Sequence, residues 1–212
     1  FFLPFVGALI GLIAAIIYYI LSPYSNLIAG LFSLLSMIII TGGLHIDGLS
    51  DTFDGFMANK DRERTFEIMK DSRVGAFGVL SIILLILFKY VLIISFNDGF
   101  FPILLSLINS RVVLSYIISY KKVAKAEGLG YLFNGSNPKV FSILTLLIYV
   151  VVLAITNTWY LFPLVLTIAT AEIICKISYK KIGGLTGDVY GSIVEIGEVL
   201  SLLGFWSVVI WI

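Results

Sequence analysis

Seven apolar runs, each long enough or nearly long enough to cross a bilayer, govern what this chain can become. They cover residues 3–21, 26–40, 75–96, 100–120, 140–156, 159–175 and 191–212. A hydrocarbon core about 30 Å thick takes roughly 20 helical residues, because each backbone N–H and C=O must find its partner within the segment. The 212 residues are 59% hydrophobic and 13% charged, with mean hydropathy +1.07, whereas a soluble domain is about a quarter charged. The expectation is an all-α, polytopic integral membrane helix bundle of about seven transmembrane helices, in one domain over 1–212. The second run, at roughly 15 residues or about 22 Å of helix, is short for a bilayer. It either tilts against its neighbours or continues into the polar stretch that follows.

Charge location orients the bundle. Three long polar segments, 41–75, 121–139 and 176–190, hold all but Lys89 and Arg111 of the 14 basic residues, while the short turns near Pro23, Asp98 and Asn157 hold none. With seven spans these segments fall on one side, which the positive-inside rule makes cytoplasmic. Residue 1 is then expected inside and the C-terminus outside, in a prokaryotic cell membrane. The first apolar run lacks a basic leader, so no cleavable signal peptide is expected. Net charge is +1, which gives no case for a nucleic-acid partner. One cysteine, Cys175, and one histidine, His45, exclude an internal disulfide and a Cys/His zinc site.

The first polar segment carries the chemistry. Its stretch TGGLHIDGLSDTFDG, residues 41–55, puts Asp47, Asp51 and Asp54 into eight residues. On a helix, spacings of four and three place all three on one face; Asp51 lies roughly 40° to one side of Asp47 and Asp54 roughly 20° to the other. Ile46, Leu49, Phe53 and Phe56 fall on the far side. Gly48 and Gly55 flank the acidic stripe and leave room for a ligand or a neighbouring helix. Three close carboxylates repel, and one tends to hold a proton. A hard cation removes that conflict, and all-oxygen ligands suit Mg²⁺ or Mn²⁺. The plainer reading, a solvated helix face, fits poorly with glycines beside the charges and long apolar runs on both sides.

Other residues extend the candidate site. Lys70 and Arg73, three apart, share a face if helical and suit a diphosphate; positive-inside flanking explains them equally well. Asp188 follows Gly183-Gly184-Leu185-Thr186-Gly187, and Glu195 and Glu198 lie just beyond it on one helix side. Carboxylates there either complete the metal site, orient its ligands, or snorkel to solvent. Lys89, Arg111 and Glu172 look intramembrane. Arg111 is read as a substrate-phosphate ligand in preference to a structural ion pair, and Lys89 and Glu172 as structural. His45 stands about 160° from the acidic stripe. It is either a general base for a substrate hydroxyl or a hydrogen-bonded interface histidine.

With these residues in view, the chain resembles the cobalamin synthase family, the adenosylcobinamide-GDP ribazoletransferases or cobalamin-5′-phosphate synthases. The likeness rests on Gly42-Gly43-Leu44-His45-Ile46-Asp47-Gly48-Leu49-Ser50-Asp51-Thr52-Phe53-Asp54-Gly55 and on Met69-Lys70-Asp71-Ser72-Arg73 with Gly75 and Gly78. Weaker agreement comes from residues 2–7, Ser110-Arg111, Glu127-Gly128-Leu129-Gly130 and Gly187-Asp188. The resemblance implies a Mg²⁺-dependent transferase that joins adenosylcobinamide-GDP to α-ribazole or its 5′-phosphate and releases GMP. It implies metal ligands among Asp47, Asp51 and Asp54, with Asp188, Glu195 and Glu198 around them. Lys70, Arg73 and Arg111 would hold phosphate, and the base is an aspartate of the stripe or His45.

Two other functions fit parts of the pattern. CDP-alcohol phosphotransferases also set aspartates on membrane helices around a metal, but this chain lacks their Ala-Arg after the Asp-Gly pair and their later Gly-x₃-Asp-x₃-Asp run. Divalent-cation transporters use acidic clusters, but here the carboxylates gather at span ends and no internal repeat is visible. The sequence leaves a homo-oligomer open.

Overall fold

The computed structural model describes residues 2–124 and 139–211. Lys125, the Glu127-Gly128-Leu129-Gly130 motif and Asn134-Gly135 lie outside the described residues. Within them the regular elements are helices: α1 (Leu3–Leu21), α2 (Asn26–Thr41), α3 (Leu44–Met57), α4 (Arg62–Met69), α5 (Ala76–Ile94), α6 (Phe100–Tyr120), α7 (Lys139–Thr156), α8 (Leu161–Ile182) and α9 (Gly187–Trp211), with a 3₁₀ turn at Thr158–Tyr160 before α8.

Six of these, α1 and α5 to α9, are long and apolar enough to cross a membrane. The second expected span instead forms a sharply bent helix pair with the stretch that follows it. At 16 residues α2 reaches only about 24 Å, and an 85° bend then turns the chain into α3. The bend is made by Gly42 and Gly43, both left-handed at φ 62° and 72°. Their amides close on the Ile39 and Ile38 carbonyls at 3.1 Å each, a glycine stop that a side chain at either position would strain.

The core divides into two parts that share α6. One is built from Ile10, Tyr18, Leu34, Ile93, Phe96, Ile103 and Phe205, and there the Tyr18 hydroxyl donates to the Phe96 carbonyl at 2.7 Å. The other gathers Phe56, Met69, Ile117, Leu164, Ile182 and Ile193. Of the spans, α6 is the most buried at 72% and α7 the least at 11%. The first is therefore the axis of the bundle, and the second leaves most of its side chains exposed.

The three polar segments meet at one end of the bundle. Leu185 donates its N–H to Lys122 O at 3.0 Å and Ala124 donates to Leu185 O at 2.9 Å, which ties the second segment to the third. The Arg62 guanidinium reaches Ala124 O at 3.2 Å from the first. Gathering the three basic segments in one place agrees with their assignment to a single membrane face.

Candidate active site

At that end α3 lies across the starts of two spans. It packs on α9 through small residues: a Cβ at Gly48 would sit 2.8 Å from the Asp188 Cα, and one at Gly191 would sit 2.9 Å from His45 O. Gly55 is closed in the same way by Met69, whose Cγ would be 2.5 Å from a Cβ. The glycines beside the acidic stripe therefore admit neighbouring helices. On the opposite face Leu49 and Phe56 are buried, and Phe53 and Phe56 line an apolar hollow of about 460 Å³ with Ile174 and Ile177.

The expected helix and stripe are present, but the three aspartates do different things. Asp47 is exposed and Asp51 half-buried. Asp188 comes from the start of α9, after Thr186, whose hydroxyl accepts from Val189 N–H at 3.4 Å and lies 3.3 Å from Asp188 Oδ2. Burial, then the charges of Asp47, Asp188 and Asp54, push the Asp51 carboxyl up to about 6. Asp54 turns inward. It is 8% exposed, and its carboxylate accepts the N–H groups of Gly75 at 2.7 Å and Gly78 at 2.8 Å.

The structure does not bring Glu195 and Glu198 to the aspartates. They belong to a buried charge cluster between α5, α6 and α9. Lys89 Nζ lies 2.5 Å from Glu195 Oε2 and 2.5 Å from Glu198 Oε2. Arg111 pairs with Glu198 Oε1 and donates to Ser110 Oγ at 2.9 Å. Arg111 is thus in the structural ion pair, the alternative to the phosphate role expected for it. In a low-dielectric interior each of these charges needs its partners, so the carboxylates are spoken for. Glu172 is likewise paired, accepting from Lys121 Nζ at 2.6 Å. His45 points toward the cluster, with Nδ1 4.0 Å from Glu195 Oε1, and that buried nitrogen has no hydrogen-bond partner.

Lys70 and Arg73 do not share a helical face, because α4 stops at Met69 and Lys70 is its cap. Arg73 is 87% exposed and gives two nitrogens to Asp71, at 3.0 and 2.7 Å. That guanidinium holds the Asp71 carboxyl down at about 2. Lys70 lines an open hollow of about 400 Å³ with Arg62, Glu63, Phe66 and Glu67.

Among the described residues no three His, Cys, Asp or Glu side chains stand within reach of one ion. The donor chemistry still fits Mg²⁺. That ion commonly takes one or two carboxylates and fills its octahedron with water and substrate phosphate. An Asp51 carboxyl lifted first by burial and then by the charges of Asp47, Asp188 and Asp54 is a group that a cation would relieve.

Comparison with known proteins decides the family. The model of the cobalamin-5-phosphate synthase family matches residues 1–206. The chain belongs to the cobalamin-5-phosphate synthase family. Among curated members, a Clostridium botulinum protein named adenosylcobinamide-GDP ribazoletransferase is 41% identical, over 96% of this chain and 84% of its own length. Proteins of the same name from Treponema denticola and Clostridium novyi are 36% and 35% identical, over 95% and 97% of this chain and 84% of their own lengths. No solved structure matches. In this member of the family the stretch from Gly42 to Gly55 forms the bend and most of the acidic helix.

Proposed function

We propose that this enzyme joins adenosylcobinamide-GDP to α-ribazole or its 5′-phosphate and releases GMP, using Mg²⁺ at the cytoplasmic membrane face. The observation that carries the reading is the Asp188 backbone packed on Gly48, with the charges of Asp47 and Asp188 both acting on Asp51, at the end where the three basic segments converge. The ribose hydroxyl forms a new bond to the phosphorus attached to cobinamide. The bond from that phosphorus to the bridging oxygen of the pyrophosphate breaks, and GMP departs with the electron pair. Such a transfer needs positioning and charge neutralisation more than covalent help.

Asp51 and Asp188, with Asp47 beside them, would hold the cation through the one or two carboxylates that Mg²⁺ commonly takes, and when bound it neutralises the pyrophosphate oxygens. The hydroxyl proton passes to a base on α3; an aspartate oxygen of Asp47 or Asp51 that the cation leaves free, and the unpartnered His45 Nδ1, are the candidates. Lys70 and Arg73 supply positive charge on the loop before α5, Arg73 by exchanging Asp71 for phosphate. The positive-inside rule supports the cytoplasmic assignment.

The test is selective consumption. Purified protein in lipid vesicles is given adenosylcobinamide-GDP with α-ribazole, or a CDP-alcohol, or a Mg²⁺ gradient. GMP release with the first alone is expected; turnover of a CDP-alcohol, or dissipation of the gradient without GMP, would overturn the proposal.

A further inference from the structure

The third aspartate of the acidic helix has its oxygens committed elsewhere. The Asp54 carboxylate is buried and takes one N–H from Gly75 and another from Gly78, at 2.7 and 2.8 Å. Gly75 is the residue that starts α5, extended at φ −85° and ψ 176°, and it has no side chain with which to cap the helix. A helix start leaves four N–H groups without intrahelical partners, and in apolar surroundings each must be answered. Asp54 answers two of them from 21 residues earlier in the chain. The fit leaves no space for other residues. A Cβ on Gly75 would be 2.5 Å from Asp54 Oδ1, and one on Gly78 would be 2.4 Å from Asp54 Oδ2 and 2.3 Å from Ser50 Oγ.

We infer that Asp54 is a positioning residue, which fastens the start of α5 and the Lys70–Gly75 loop to the acidic helix, and that cation binding falls to Asp51 and Asp188, with Asp47 beside them. The division of labour rests on the transferase reading above; the fastening does not. Losing the latch frees the loop that carries Lys70 and Arg73 and leaves the cation ligands in place.

The experiment compares Asp54→Asn, Gly78→Ala and Asp51→Asn in the full chain, purified in detergent. Mn²⁺ affinity, amide exchange and steady-state kinetics are measured for each. An asparagine keeps one acceptor and turns an NH₂ toward the other amide. Exchange at Gly75 and Gly78 should therefore rise roughly ten- to hundredfold in Asp54→Asn, with α6 unchanged. Mn²⁺ affinity should change by less than about threefold, while KM for adenosylcobinamide-GDP rises. Gly78→Ala attacks the same contact from the other side and should reproduce this pattern, and the double variant should add little to either. Asp51→Asn should do the reverse, losing Mn²⁺ and keeping slow exchange. If Asp54→Asn or Gly78→Ala leaves exchange at α5 unchanged, or Asp54→Asn loses Mn²⁺ as Asp51→Asn does, the assignment is overturned. Faster exchange in Asp54→Asn, with Mn²⁺ affinity unmoved in both aspartate variants, would uphold the latch and refute the cation site.

Discussion

Gly48 and Asp188 meet with no side chain between them: a Cβ on Gly48 would lie 2.8 Å from the Asp188 Cα and 2.9 Å from its carbonyl oxygen. That contact sets how closely the acidic helix approaches the start of α9. Gly48→Ala gains helix propensity of up to about 1 kcal/mol but must overpack a backbone contact, which costs about 1–3 kcal/mol. Thermal unfolding in detergent should show net destabilisation, and Mg²⁺ affinity should fall as Asp188 is pushed from Asp47 and Asp51. Gly187→Ala is the control, since no atom lies within 4 Å of its Cβ position; it should leave both quantities nearly unchanged.

The cluster of Lys89, Arg111, Glu195 and Glu198 predicts stability effects rather than substrate effects. Lys89→Met strands the buried Glu195, leaves Glu198 with Arg111 alone, and should destabilise by about 3–5 kcal/mol. Adding Glu195→Gln to it should restore part of the loss, so the two changes will not be additive in a double-mutant cycle. Arg111→Met should lower unfolding resistance similarly while the surviving folded enzyme keeps its KM. A selective rise in KM with unchanged stability would return Arg111 to the phosphate role.

The raised Asp51 carboxyl predicts a pH dependence of definite sign. Its ordinary value is 3.8, and in the folded protein it is about 6. Between these values the folded state holds the proton that the unfolded state has lost. Its contribution to stability is therefore present below pH 4 and disappears as pH rises through 6. In EDTA, wild type should lose stability relative to Asp51→Asn across that window. Mg²⁺ affinity should run the other way, rising with pH through about 6, and each binding event should release protons. Calorimetry in buffers of different ionisation enthalpy reads that release directly.

His45 separates two accounts of the proton. Its Nδ1 faces Glu195 Oε1 at 4.0 Å, on the buried side of α3. If an aspartate of α3 is the base, His45→Ala should cost modest stability and less than about tenfold in kcat, below the 10²–10⁴ typical of a lost general base. A loss in that larger range, with the acidic limb of the pH–rate profile removed, would give His45 the proton.

Much of this was legible in residue patterns. Apolar run lengths identified the spans, and the four-and-three spacing of Asp47, Asp51 and Asp54 identified the acidic helix. The break after Thr41 was only half visible. A Gly-Gly pair announces a stop, but the 85° turn needs both residues left-handed at once. Helical spacing placed Asp54 with its neighbours because it reports direction around an axis and says nothing of what stands opposite. Only the folded chain brings Gly75 and Gly78 there. Glu195 and Glu198 were misplaced for the same reason: their partners Lys89 and Arg111 come from two other helices. Lys70 and Arg73 failed as a helical pair because α4 ends at Met69, before either of them.

GMP release by vesicle-reconstituted protein, supplied with adenosylcobinamide-GDP and α-ribazole and titrated with Mg²⁺, probes the central claim most directly. Wild type should release GMP only when the cation is present, whereas Asp51→Asn and Asp188→Asn should insert, fold and release almost none. Turnover that persists in EDTA, or near-normal turnover by either variant, would contradict the proposed cation site.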